Sequence, residues 1–280
     1  MSQLGFDSKS ETTADIRQAA VAGTFYPAAP ELLKSRVKTY LEEAKRPPLS
    51  GTVRAIIAPH AGYIYSGPVA GYSFSALNGS IQGDHTVFLM GPAHYAPISG
   101  VAVGRYRALS TPLGELPVNV DIVDQLLSNT AIFNERNDAH APEHCLEVEL
   151  PFLQIIKFAR LRIVSLLFGQ TSADAVAEIL IPYIDNDPSS RIVVSSDLSH
   201  FHSYTHAKRI DTALLDAIVR QDLPAVALGE ACGRIPILTL MLIAERLGWQ
   251  AHLLDYKNSG DTAGDRQRVV GYGATAFTEN

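Results

Sequence analysis

The sequence predicts an α/β fold: a single domain with a mainly parallel central sheet flanked by helices. Three observations carry this expectation: short apolar runs closed by turns, amphipathic stretches between them, and no composition shift along 280 residues. In chain order, residues 31–44 set Leu32, Leu33, Val37, Tyr40 and Leu41 at helical spacing. Residues 53–58 (VRAIIA) and 86–90 (TVFLM) read as strands, as do 163–168 (IVSLLF) and 191–195 (RIVVS). Such runs suit strands covered on both faces, as in parallel sheets. Helical stripes follow at 173–183, 207–220 and 235–247, and the last is apolar nearly all round, as a core helix would be. Residues 269–277 (VVGYGATAF) are a final strand candidate weakened by their glycines. The length suits one large domain, placed at 21–280 behind a polar leader, residues 1–20, expected to be disordered.

Composition narrows the function. Apolar residues make up 46% and charged residues 19%, which excludes disorder for most of the chain. Lys and Arg total 23 against 29 Asp and Glu, a net charge of −6 with no basic run. That argues against gripping nucleic acid or an anionic membrane. No apolar stretch approaches the roughly 20 residues of a membrane span, and the first residues lack the pattern of a secretory signal. Two cysteines, Cys145 and Cys232, are too few for a disulfide scaffold, so a reducing cytoplasm is expected.

The segments after three strands read PHAGYIYSG, GPAHYAPISG and SDLSHFHS, and each presents a histidine. Ligands of open α/β sheets sit outside the carboxyl ends of the strands, so these histidines can converge. His60 follows Pro59, which ends its strand sharply. His94 stands just past Gly91-Pro92 in the same way. Each could instead be a loop histidine capping a strand. Asp197 and His200 are three apart and would share one face of a helical turn. A carboxylate there can orient an imidazole and raise its basicity, or Asp197 can simply be a helix N-cap. His202 and His206 are expected at the surface. Cys232 precedes the apolar helix whose first turn holds Pro236. A helix N-terminus favours a thiolate, although an unpaired cysteine is commonly buried and inert. His144 stands among Glu143, Glu147 and Glu149, which form either a solvated face or the surroundings of an inward-facing base. Cys145 beside it is expected to pack inward.

Familiar catalytic signatures are missing. The chain has no G-x-S-x-G elbow, no Walker A stretch, no G-x-G-x-x-G after a strand, no H-E-x-x-H helix and no C-x-x-C pair. A thiol enzyme pairing Cys232 with His60 or His94 stays open.

Taken together, AGTFYP (22–27), APHAGYIYSG (58–67), LMGPAHYAPISGVAV (89–103), EHCLEVELPFL (143–153), SSDLSHF (195–201), ACGRIP (231–236) and DYKNSGD (255–261) resemble the Memo family, also labelled AmmeMemoRadiSam system protein B. The resemblance covers nearly the whole chain after about residue 20. It implies the fold of class III extradiol-type nonheme iron dioxygenases (LigB-like). It also implies a pocket lined by His60, His94, Asp197, His200 and Cys232, with His60, His94 and Cys232 as metal ligands. Two imidazoles and a thiolate suit Fe(II), Cu or Zn. The dioxygenases carry a carboxylate where this chain has Cys232, so the resemblance does not extend to ring cleavage. Cys145 departs from the small hydroxyl residue expected in the EHS-type motif.

Three functions compete. The first is a metal-dependent redox enzyme of unknown substrate, with Asp197 orienting a histidine and His200 and His144 as acid or base. The second is a non-enzymatic module using the same pocket for a peptide or anion. The third is a partner of the radical-SAM and AMMECR1-type proteins that accompany the family.

Overall fold

The structure is a computed structural model that describes residues 15–46, 48–77, 84–156, 158, 160–262 and 264–280. The amino-terminal half runs β1 (Ile16–Arg17), α1 (Pro30–Glu43), β2 (Thr52–Ala58), α2 (Tyr63–Leu77), β3 (Asp84–Pro92), β4 (Val101–Val103), β5 (Ala108–Thr111) and β6 (Gly114–Pro117). It continues through α3 (Val120–Leu127), β7 (Phe133–Glu135), α4 (Asn137–His140), α5 (Leu150–Ile155) and β8 (Arg160–Phe168). The second half holds α6 (Ala173–Asp185), β9 (Arg191–Ser195), β10 (His200–His202), α7 (Tyr204–Val219) and α8 (Leu223–Leu228). It ends with α9 (Arg234–Leu247), β11 (Gln250–Asn258), α10 (Ser259–Thr262) and β12 (Val269–Glu279).

The sheet is mixed, not mainly parallel. Its centre, β2-β9-β3-β8, is parallel, and these strands carry the continuous apolar runs that suggested it. On one side β12 pairs antiparallel with β2, β11 and β10. On the other, β4 pairs antiparallel with β8. The reason lies in β11 and β12, consecutive long strands joined by the short α10, which pair as a hairpin instead of crossing over. Residues 250–258 carried no clear strand signal because Asp255 and Lys257 interrupt the apolar pattern.

Helix α2 was hidden in the sequence by Gly67, Pro68 and Gly71. The loop after β2 is therefore short, residues 59–62, and helix follows at once. The glycines serve contact with α1: a Cβ on Gly71 would stand 2.4 Å from the Tyr40 carbonyl oxygen, nearer than real side chains approach. Among the described residues no helix is long and apolar enough to cross a membrane.

Residues 1–14 of the polar leader lie outside the described residues. From Ile16 the chain belongs to the fold, since β1 pairs with β5. The buried Arg17 donates through Nη1 to the buried Glu147 (2.6 Å) and through Nη2 to the Glu143 carbonyl (2.6 Å).

Candidate metal centre

Parallel register places the carboxyl ends of β2, β9 and β3 side by side, with Ala58 opposite Ser195 and Met90 opposite Val194. The loops leaving these ends carry His60, Asp197 and His94. Cys232 arrives from the turn before α9, two residues ahead of its first residue. His60, His94 and Cys232 each offer a ligand atom within 4.8 Å of the others. The Cys232 Sγ stands 3.3 Å from His60 Nε2. Ligands on one four-coordinate ion, at about 2.0–2.1 Å for nitrogen and 2.3 Å for sulfur, lie roughly 3.3–3.6 Å apart, so the set fits a metal.

His60 is buried and its ring is fixed from behind, Nδ1 lying 2.8 Å from Ser195 Oγ. Burial, then the neighbouring His94, hold its imidazole neutral down to about 3. Ligation needs that neutral form. His94 is more open, and its Nδ1 donates to Glu143 Oε1 at 2.8 Å, while Glu143 Oε2 accepts the His94 backbone N–H at 2.7 Å. Burial pushes the Glu143 carboxyl up, but the bonds from the His94 ring and backbone and the Cys145 N–H outweigh it and hold it well below the ordinary range. With Nδ1 engaged, the His60 ring turns Nε2 to Cys232, and Glu143 on Nδ1 of His94 leaves its Nε2 as the nitrogen able to ligate.

Cys232 Sγ accepts the Asp197 backbone N–H at 3.3 Å. The turn is tight: a Cβ on Gly233 would stand 2.6 Å from Ser196 Cβ, so only glycine fits there. The helix N-terminus was expected to favour a thiolate, yet burial and the Asp197 carboxylate push the thiol up to about 12. Burial and the Asp197 carboxylate outweigh the hydrogen bonds from the Asp197 and Gly233 N–H groups and Ser196 that favour the thiolate. A bound cation reverses this, because a coordinating thiol loses its proton outright.

The remaining candidates divide. Asp197 is neither an N-cap nor a partner of His200 on a helical turn, since residues 196–199 are irregular and β10 follows. It instead accepts the His60 backbone N–H at 2.8 Å and so holds the ligand's loop, with burial pushing its carboxyl up. His200 stands outside the ligand set, within electrostatic reach of His60, and donates its backbone N–H to Glu230 (3.2 Å). The exposed Phe201 next to it takes a positive φ of 63°, a strained conformation for an aromatic residue. His202 lies half-buried, its Nε2 2.9 Å from Glu230 Oε2, and His206 is exposed. His144 faces the site, its ring centroid 4.6 Å from that of His94, and its Nδ1 lies 3.1 Å from the Tyr95 hydroxyl. Burial and the two facing histidines lower it, so it is neutral near pH 7.

The solvated-face alternative for 143–149 is overturned: Glu143, Glu147 and Glu149 are all buried, as is Cys145. Glu143, Ser195 and Glu149 are the residues that sequence reasoning missed. One signal pointed to the two glutamates, since residues 137–156 contain no Lys or Arg to balance Glu143, Glu147 and Glu149; none pointed to Ser195. A groove of about 490 Å³ opens beside Cys232, walled by Pro92, Ala96, Ile98 and Ile235 with Gln170, Glu230 and Arg234 as polar groups.

A sequence model of the family described as Memo-like protein matches residues 17–276. Similar chains described as MEMO1 family proteins come from Methanosarcina acetivorans (35% identical; 93% of this chain, 98% of the relative) and Sulfolobus acidocaldarius (33%; 94% and 99%). A third, from Nitrosopumilus maritimus, is 30% identical over 94% of this chain and 99% of its own.

Proposed function

The chain belongs to the Memo-like family, and from that membership and the pocket's chemistry we propose that it is a metal-dependent redox protein whose ion is held by His60, His94 and Cys232. One observation carries the reading. Two imidazoles have Nδ1 engaged by Ser195 and Glu143, which frees Nε2 toward a thiol 3.3 Å from one of them. Such hydrogen-bonded imidazoles are the usual form of metal-ligating histidine. Two nitrogens and a sulfur suit Fe(II) or Cu, with Zn also compatible.

Bound there, an iron or copper ion would supply one-electron chemistry and a zinc ion a Lewis acid. The chain supplies the rest. Glu143 and Ser195 orient the ligands, and Asp197 holds the His60 loop. The neutral His144, its ring against those of His94 and His60 and its Nδ1 beside the Tyr95 hydroxyl, is one acid/base candidate, and His200 is the second. The groove beside Cys232 offers space for a substrate with an apolar body.

A LigB-like relationship to extradiol dioxygenases belongs to the same proposal, supported by a site at the carboxyl ends of parallel strands. Cys232 in place of a hard carboxylate argues against ring cleavage, so added Fe(II) should give no catechol turnover above background. The decisive measurement is elemental analysis of freshly purified, reduced protein beside its His60→Ala, His94→Ala and Cys232→Ser variants. Wild type should carry metal and each folded variant should lose it. Equal metal content in all four would end the reading.

A further inference from the structure

The Ser195 hydroxyl sits at the centre of three close contacts. His60 Nδ1 lies 2.8 Å from Oγ, the Cys145 carbonyl oxygen 2.7 Å, and Glu149 Oε1 2.9 Å. All four residues are buried or nearly so, and Glu149 is 1% exposed. A hydroxyl has one proton to give and two lone pairs to fill. One proton cannot serve both the Cys145 carbonyl oxygen and Glu149 Oε1; the carbonyl can only accept and lies nearer, at 2.7 Å against 2.9 Å, so the Ser195 proton is assigned to it. Oγ must then receive from both other partners. His60 donates through Nδ1–H. Glu149 can donate only if its carboxyl carries a proton.

A second observation agrees. Glu149 Oε2 is buried and has no hydrogen-bond partner among the described residues. An ionised carboxylate would leave that oxygen charged and bare in the interior, at a cost far above that of a neutral acid. The titratable groups facing Glu149 are Asp197 on the loop after β9, Tyr63 on α2 and Cys145 on its own segment, and none is a cation.

We propose that Glu149 is held as a neutral, protonated acid that donates to Ser195, and that this bond locks His60 in the Nδ1–H tautomer with Nε2 free to ligate. Glu149 is thus a positioning residue acting through Ser195, and it places one exchangeable proton two hydrogen bonds behind the ligand. Burial, then the nearby Asp197 carboxylate, push its carboxyl well above the ordinary range, which agrees with the proton count. The value of the tautomer rests on the metal reading above, whereas the proton itself does not.

The test uses the full chain, reduced and stripped with chelator, so its outcome is independent of metal content. Wild type near pH 7.5 should show the infrared carbonyl band of a protonated carboxylic acid, absent from Glu149→Gln. Nitrogen NMR of the same wild-type protein should find His60 protonated on Nδ1. Glu149→Gln keeps a donor without a titration, so it should unfold at higher temperature than wild type at pH 8. That advantage should shrink as pH falls and vanish below about 4.3, where a glutamate is protonated folded or unfolded. Loss of the acid band, an Nε2–H tautomer, or a pH-independent stability loss in Glu149→Gln would each overturn the proposal. Wild-type spectra decide the matter even if the variant folds poorly.

Discussion

Two imidazoles face one thiol, and the chain supports them in opposite ways. Behind His94 stands Glu143, whose two oxygens accept from the His94 ring and backbone, from His144 N–H and from Cys145 N–H. Behind His60 stands Ser195, itself backed by Glu149, with one oxygen bonded and the other bare. Both carboxyls are buried. The surrounding donors push them apart: four N–H contacts hold Glu143 ionised, whereas Glu149 meets one hydroxyl and no cation. The lesson is that burial alone does not set a carboxyl's charge; the count of donors does.

The largest expected effect breaks the His94 side from below. Arg17→Met leaves Glu147 buried without its cation and removes the donor to the Glu143 carbonyl. It should cost about 3–5 kcal/mol in denaturant unfolding, the usual penalty for breaking a buried pair. Smaller, but aimed at the contrast itself, is Glu143→Gln. One amide group cannot accept from both the His94 ring and the His94 backbone, so stability at pH 7 should fall by about 1–3 kcal/mol. Metal affinity should weaken on the order of 10–100-fold. Glu143 sits below the ordinary carboxyl range when folded, so its contribution is present above that range and disappears in acid. The deficit of the variant should therefore narrow below about pH 4, whereas an unchanged deficit from pH 8 to pH 3 would count against an ionised Glu143.

Ser195→Ala comes next. It unpartners His60 Nδ1 and the Cys145 carbonyl, for a loss of about 1–3 kcal/mol. Because a ring freed at Nδ1 can take either tautomer, its metal affinity should fall by roughly tenfold or more. Titration with Zn(II) against a colorimetric chelator would measure it, and affinity equal to wild type would mean that Ser195 does not orient His60. The smallest effect is expected from Gln in place of Glu149, with metal affinity within a few-fold of wild type because the donor to Ser195 survives. A drop as large as that of Glu143→Gln would erase the difference between the two sides.

Much was legible in the sequence where a local pattern carried it. The central strands at 53–58, 86–90, 163–168 and 191–195 declared themselves because strands covered on both faces must be apolar throughout. His60 and His94 stood out because Pro and Gly end each strand just before a histidine, and Cys232 because a helix with an early Pro follows it. Local pattern failed where contact at a distance decides. Helix α2 gave no helical stripe in the sequence, and its Gly67 and Gly71 are kept for Tyr40 on α1. The Glu143–Glu149 segment could be read as a solvated face or as the surroundings of an inward-facing base, because the sequence does not show that Arg17, 130 residues from Glu147, closes over it.

By itself, then, the sequence determined the α/β layering, the strand ends that carry the two histidines and the helix start that carries the cysteine. These follow from periodicity and turn chemistry within a few residues. Only the tertiary structure decided which carboxyl stands behind which imidazole, that Asp197 holds a loop and not a ring, and that the thiol stays protonated without a cation. Charge state inside a protein is set by donors and dielectric gathered from several elements, and no stretch of chain contains that information before the elements meet.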